Sequence, residues 1–458
     1  MRCKIKTLNN QFQLFKTRRF LPLFVTQFLG ALNDNLFKQG LLIIVVSQVV
    51  LVAGNSADFF TNLAAGLFIL PYFLFSTTAG QLADSYDKAM LIRRIKLAEM
   101  LIMTVGAYSL YSLDLNLMLM VLFLLGLQST FFGPIKYAII PQHLEPSELL
   151  AGNAQVGMGT FVSILLGTLI GGWLVTMPSG RLLLGVATVS VATIGWLSST
   201  AIPAAPPYDS APPSWNPLRD SFKNFVMARQ NKTVFYCVLS ISWFWLFGSC
   251  FLTQVPNFAV KNLQGEPLLS SILIAAFIIG VAIGCLLCTN LSGKRVEPGI
   301  IPLGAFGLSL FSVDLYQSFN TYADTLGRES LISIMTFMQM TSGLHILVDL
   351  VLIGAFGGLY IVPLYAMIQE RTESGKRARM IALNNIINAL FMVLGSVLGI
   401  ICLAVIGWSI PEFFLFMALL NAVFSCLIFS LVPEFFERFK LWLKPSIFAL
   451  KRFFFGRT

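Results

Sequence analysis

The sequence predicts an all-α polytopic membrane protein: twelve transmembrane helices in two pseudo-symmetric six-helix bundles. Three observations predict it. Of the 458 residues, 56% are hydrophobic and only 11% charged, against about 25% charged in an ordinary soluble domain. The apolar residues fall into runs of bilayer length, with Lys and Arg gathered on one side. A short motif then recurs half a chain apart.

A hydrocarbon core requires about 20 apolar residues per helix. Twelve runs meet that need: 20–51, 60–82, 91–112, 115–140, 149–176, 181–202, 233–259, 269–291, 299–318, 345–368, 381–406 and 411–432. In the region 319–344, the run Leu331 to Met340 is too short to span and reads as an interfacial or re-entrant piece. Residues 1–19 form a basic tail with no small-residue cleavage site, expected to be retained and cytoplasmic. Residues 20–202 are the first bundle and 233–432 the second. Between them, 203–232 holds Pro203, Pro206, Pro207, Pro212, Pro213 and Pro217, a density that favours an extended cytoplasmic linker. Residues 433–458 alternate Phe, Leu and Trp with Lys and Arg and read as an amphipathic helix on the inner membrane face.

The net charge of +10 does not point to nucleic acid, because the cations sit in short loops between apolar runs. With both termini inside, outer loops hold only Arg181, Lys261 and Arg328, while Lys38 and Lys136 fall within spans. The remaining Lys and Arg, among them Lys88, Arg93, Arg94, Lys96 and Arg371, are assigned to the cytoplasmic side, as the positive-inside rule requires. The seven cysteines lie mostly in apolar runs and read as packing residues. Cys285 and Cys288 are spaced i, i+3 without further ligands, so no metal site is expected. No cofactor is expected either, and the protein is expected to act as a monomer.

The repeat pairs Tyr137-Ala138-Ile139-Ile140 near the end of the fourth span with Tyr365-Ala366-Met367-Ile368 at the end of the tenth. Asn153-Ala154-Gln155 in the fifth span answers Asn384-Asn385-Ile386 in the eleventh. Two six-helix halves related by an axis along the membrane normal are the arrangement of major facilitator transporters, where solute binds near mid-membrane.

Charges at bilayer depth are costly and mark candidate sites. Asp34 and Lys38 share one face of the first span at i, i+4, acid before base, the favourable order for pairing. Asn33, Asn35 and Gln39 surround them. This polar ring reads as the lining of a cavity, with interhelical glue as the alternative. Lys136, beside Tyr137, reads equally as a phosphate-binding ammonium or as a snorkelling interfacial lysine. Gln369, Glu370 and Arg371 follow the tenth span in the equivalent place. Trp243, Trp245 and Gln254 of the seventh span suit an amphipathic solute, or simple packing against lipid. Gly80 and Asp84 precede Lys88, Arg93 and Arg94 between the second and third spans. A carboxylate there, able to pair with basic residues on a neighbouring loop, reads as an inner gate, to which Arg371 is also assigned.

Phe28-Leu29-Gly30-Ala31-Leu32-Asn33-Asp34-Asn35-Leu36-Phe37-Lys38, Gly133-Pro134-Ile135-Lys136-Tyr137 and Pro363-Leu364-Tyr365-Ala366-Met367-Ile368-Gln369-Glu370-Arg371 together resemble the lysophospholipid transporter family of the major facilitator superfamily. The resemblance runs from about Leu21 to Val432. Ser242-Trp243-Phe244-Trp245 looks closest to the transporter domain that some bacteria fuse to a phospholipid acyltransferase and an acyl-carrier-protein synthetase. The chain closes soon after the twelfth span, so those enzyme domains are expected to be absent. The resemblance implies a flippase-like role in a Gram-negative inner membrane, moving lysophospholipids for re-acylation. It also implies that Asp34, Lys136 and Glu370 lie on the substrate path. Free-standing members carry an arginine on the seventh helix; this sequence has none, which leaves headgroup preference open.

Two other classes stand beside this one. A proton-coupled exporter of amphipathic drugs would use Asp34 or Glu370 as the titrating carboxylate. A lipid enzyme is disfavoured: neither His143 nor His345 has an aspartate five residues later, and no glycine-framed serine occurs.

Overall fold

A computed structural model of the chain describes residues 11–45, 57–208, 216–293, 295–325 and 331–455, without the side chains of 57–59, 61–62 and 445–455. Arg2, Cys3, Lys4 and Lys6 of the basic tail, residues 46–51 of the first span, Pro212 and Pro213 of the linker, Lys294, Arg328 and Arg457 lie outside the described residues.

Among the described residues, twelve long helices precede a C-terminal one: α1 Leu21–Ile44, α2 Ala57–Ser85, α3 Lys88–Ser112, α4 Leu115–Ala138, α5 Leu149–Thr176, α6 Gly180–Thr200, α7 Lys232–Asn257, α8 Pro267–Leu291, α9 Ile300–Ala323, α10 Thr341–Arg371, α11 Arg377–Gly399 and α12 Ile410–Leu431. Local chemistry starts several of them. Asp87, Asp114 and Asn231 accept the free amides of Met90, Leu117 and Val234, and Ser409 with Glu412 makes a reciprocal capping box. Strand pairing among the described residues is limited to one bridge, Gly265 with Ile332.

Among the described residues, ten of these helices are long and apolar enough to cross a membrane. The two left out, α1 and α3, are of similar length. They fall short in composition: α1 carries Asn33, Asp34, Asn35, Lys38 and Gln39, and α3 carries Arg93, Arg94, Lys96 and Glu99. Large apolar side chains elsewhere face outward, including Tyr111, Trp173, Phe306 and Val423. Such surfaces suit hydrocarbon, where only backbone polar groups must be satisfied internally.

Two connecting stretches carry helix. The stretch expected as extended linker contains a helix, Pro217–Gln230. Pro217 opens it and the other linker prolines come earlier in the sequence; beyond them Asp220, Asn224 and Ala228 recur every fourth residue on the buried face, a helical period. The Thr77 and Ser221 hydroxyls meet at 2.5 Å. The short apolar run after α9 is a helix of six residues, Ile334–Gln339, and α9 itself continues to Ala323.

The chain divides into two compact units. Unit 1 comprises residues 1–230 and 368–389, and unit 2 comprises 231–367 and 390–458. Within unit 1, α1 packs on α5, α2 on α4, and α3 on α6. Close approach at the first pair depends on Gly167 and Gly171 of α5: a Cβ would lie 2.4 Å from the Leu32 carbonyl oxygen and 2.6 Å from that of Leu36. Unit 2 repeats the scheme. There α9 packs on α12, Gly280 and Gly284 of α8 lie against Val351 and Ala355 of α10, and Gly395 of α11 lies against Leu246 and Cys250 of α7. The C-terminal helix Pro433–Phe455 docks on unit 2. Arg438 donates twice to the Glu297 carboxylate (3.1 and 2.7 Å), and the Trp442 indole donates to the Leu291 carbonyl (2.9 Å).

Candidate functional site

The polar residues of α1, α3 and α4 converge inside unit 1. Lys96 Nζ lies 2.5 Å from Glu99 Oε2, and both side chains are 1% exposed. Glu99 also accepts from Gln128 Nε2 of α4 at 2.7 Å and from Asn33 Nδ2 of α1 at 3.3 Å. One carboxylate is thus held by three helices, which offsets much of the cost of burying it. Lys96 Nζ stands 4.6 Å from the centre of the Phe132 ring. Gly30 makes room for the ammonium, since a Cβ there would lie 2.2 Å from Nζ.

Asp34 and Lys38, whose spacing allows a pair, each take another close partner. Asp34 Oδ2 accepts the Ser129 hydroxyl of α4 at 2.5 Å, while Lys38 Nζ lies over the Phe68 ring of α2, 5.4 Å from its centre. Each side chain of the i, i+4 pair finds a partner on a different neighbouring helix, the lysine through cation–π attraction. Lys136 Nζ lies 4.9 Å from the Tyr137 ring centre, within electrostatic reach of Lys96 and Asp34. Asp34 in turn feels Glu99, Lys96 and Lys38. When all are ionised, three ammonium groups face two carboxylates, so the cluster carries one surplus positive charge.

Lys96 corrects the sequence reading, which assigned it to the cytoplasmic side with Arg93 and Arg94. Glu99 was missed with it. The signal was present: four ionic residues fall in or beside one apolar run, and the i, i+3 spacing of Lys96 and Glu99 allows self-pairing.

At the other end of α2, Asp84 closes over the start of α11. Its carboxylate accepts from the backbone amides of Ala378 and Arg379, each at 3.1 Å, and from Arg379 Nε at 3.2 Å. A carboxylate on the free amides of a helix N-terminus is the favoured arrangement for charge and hydrogen bonding alike. Gly80, one turn earlier, permits the contact, since a Cβ there would lie 2.6 Å from that of Ala382. The partner of Asp84 is therefore Arg379, and not Arg93 or Arg94. Arg93 donates to the Ile202 carbonyl at 2.8 Å and Arg94 is exposed. They lie further along α3, past the turn in which Asp87 binds Met90 and Ala205. Lys88 is buried with Nζ 6.0 Å from the Tyr208 ring centre. Arg371 ends α10, half-buried.

Gln369 and Asn153 form a reciprocal amide pair, with N···O distances of 2.6 and 3.0 Å. The Gln369 side chain also donates to the Tyr137 carbonyl at 3.1 Å, and its backbone carbonyl accepts from Arg377 Nε at 2.7 Å. Glu370 is exposed beside it. Asn385 Nδ2 lies close to Gly133, 2.9 Å from where a Cβ would stand. Asn384 is fully buried with neither amide atom hydrogen-bonded. Asn35 turns back to its own helix, donating to the Ala31 carbonyl at 2.8 Å.

Trp243, Trp245 and Gln254 belong to unit 2. Trp243 is buried, donates to Asn421 Oδ1 at 2.8 Å and stacks on Phe424 at 4.4 Å. That is a packing contact between α7 and α12. Trp245 and Gln254 are partly exposed, and Gln254 accepts from Asn257 at 3.4 Å.

Comparison with known proteins adds a family and a fold. A family profile described as Major Facilitator Superfamily matches residues 23–337. A protein of Serratia proteamaculans named Lysophospholipid transporter LplT is 25% identical over 403 residues, covering 85% of this chain and 89% of its own. Its namesake in Klebsiella pneumoniae is 26% identical, with 81% and 90% covered. Among solved structures, the human organic anion transporter MFSD10 aligns with a TM-score of 0.68 at 15% identity, over 90% of this chain and 99% of that one. FucP, a transporter solved in the outward conformation, aligns with 0.65 at 14%, over 93% and 99%. These two likenesses concern the fold alone.

Proposed function

Since the chain belongs to the Major Facilitator Superfamily, we propose that it carries lysophospholipids across the inner membrane by alternating access. The observation that supports this reading is the ionic cluster inside unit 1, with Lys96 and Glu99 buried as a pair and Asp34, Lys38 and Lys136 half-buried around them. A phosphodiester headgroup carries the negative charge that such lysines attract, and an ammonium binds phosphate as a point charge. Gln128, Ser129 and Asn33 add neutral groups around it. The acyl chain stays in the apolar surroundings through a lateral opening, so the protein need hide only the headgroup. The names of the relatives favour the same solute class.

In this reading Asp84, Gly80 and Arg379 form an inner gate. They release the start of α11 when the cytoplasmic side opens. Both termini are cytoplasmic, and the delivered lysolipid is re-acylated by a separate acyltransferase or acyl-carrier-protein synthetase system.

The test is reconstitution into vesicles with labelled lysophosphatidylethanolamine in one leaflet. Wild-type protein should speed its movement at least tenfold over protein-free vesicles, and Lys136→Ala should remove most of that gain. Equal rates in all three preparations, or transport blocked by a cationic drug but untouched by excess lysolipid, would exclude the proposal.

A further inference from the structure

The sequence reading searched for metal ligands only at the cysteines. In unit 2, α9 and α10 bring together a different set. Asp314 projects from α9, and His345 and Asp349 lie one turn apart on α10. His345 Nε2 is 3.2 Å from Asp314 Oδ2 and 3.7 Å from Asp349 Oδ1. One ligand atom from each residue falls within 4.8 Å of the others. Metal–ligand bonds of about 2.0–2.1 Å at tetrahedral angles place ligand atoms about 3.3 Å apart, so these separations need little adjustment to close on an ion.

A second observation points inward at the same spot. The Asp349 side chain is 1% exposed, yet its Oδ1 makes no hydrogen bond. Its other oxygen accepts the Ser318 hydroxyl at 2.6 Å. Ser318 thereby fixes the carboxylate and leaves Oδ1 turned to the imidazole, as an outer partner orients a metal-ligating carboxylate. A simple His–Asp ion pair accounts for Asp314 and His345. It leaves a second carboxylate, Asp349, beside the same imidazole, so that two acids face one base. His345 is 50% exposed and Asp314 35%, so the site is not sealed inside the unit.

We propose that Asp314, His345 and Asp349 bind a divalent transition metal of the zinc class, bridging α9 and α10. One imidazole with two carboxylates suits zinc, cobalt or manganese better than magnesium or calcium, which take all-oxygen shells. The site is independent of the headgroup cluster in unit 1.

Tag-free, chelator-treated protein in detergent is titrated with Co²⁺ and read by visible absorption. Wild type should bind one Co²⁺ per chain, displaced by Zn²⁺ and not by millimolar Mg²⁺. His345→Asn should lose at least tenfold in affinity while keeping the metal-free melting temperature, because the imidazole is half exposed. Ser318→Ala, which removes only the orienting hydroxyl, should weaken binding about tenfold or more. Absence of saturable Co²⁺ binding, or unchanged affinity in His345→Asn, would overturn the proposal. Near-ultraviolet thiolate bands would also overturn it, by assigning the metal to Cys285 and Cys288.

Discussion

Lys96 and Glu99, one turn apart on α3, pair at 2.5 Å with both side chains 1% exposed, and Glu99 is shared with α1 and α4 through Asn33 and Gln128. Removing one partner leaves a buried charge alone, which costs roughly 3–5 kcal/mol, whereas replacing both by apolar residues costs far less. Lys96→Ala should therefore melt well below wild type in detergent, and Lys96→Met with Glu99→Met should recover much of the loss. A single variant that melts like wild type would mean the pair is not buried.

Gly30 exists at its position to admit the Lys96 ammonium, on the 2.2 Å approach of a Cβ to Nζ. Gly30→Ala should displace that ammonium from Glu99 and lower transport with little change in expression. Lys96→Gln, one atom shorter, should lower transport alone yet relieve the clash. The two changes should therefore combine non-additively, with a coupling of about 0.5–3 kcal/mol in a double-mutant cycle of melting free energies.

The Asp84 carboxylate holds Ala378 and Arg379 by three hydrogen bonds. Hydrogen bonds to a charged group are each worth about 1.5–3 kcal/mol. Asp84→Ala should free the start of α11, so trypsin should cut after Arg377 and Arg379 several-fold faster than in wild type. Unchanged cleavage would exclude a latch role for Asp84.

Asn153 and Gln369 satisfy each other with two buried hydrogen bonds. Either alanine substitution strands the remaining amide, at about 1–3 kcal/mol. The double substitution should cost less than the sum of the singles, as read by thermal melting.

Trp243→Phe keeps a ring on Phe424 and removes the donor to Asn421. Stability should drop by about 1 kcal/mol, with transport of lysolipid nearly intact. A selective loss of transport would instead return Trp243 to the substrate path.

Much of the architecture was legible in the chain. Bilayer-length apolar runs and cation placement mark helices whose ends differ from the observed ones by a few residues, because hydrocarbon thickness and backbone satisfaction allow few alternatives. Asp34 on the first span, Lys136 on the fourth, and Gly80 with Asp84 after the second were visible as anomalies against that pattern. Their partners were not. Whether Asp34 turns to Lys38 on its own helix or to Ser129 on α4 depends on how α1 and α4 are rotated against each other, and periodicity along one helix does not encode that rotation.

The same reason separates the two halves of the outcome. Local composition determined that the chain spans a bilayer many times and where its costly charges sit along each helix. Only tertiary packing decided that Lys96 is interior, that Asp84 holds Arg379, and that Asp314 meets His345 and Asp349. Each of these joins residues 3 to 295 positions apart through helix faces whose orientation is set by their neighbours.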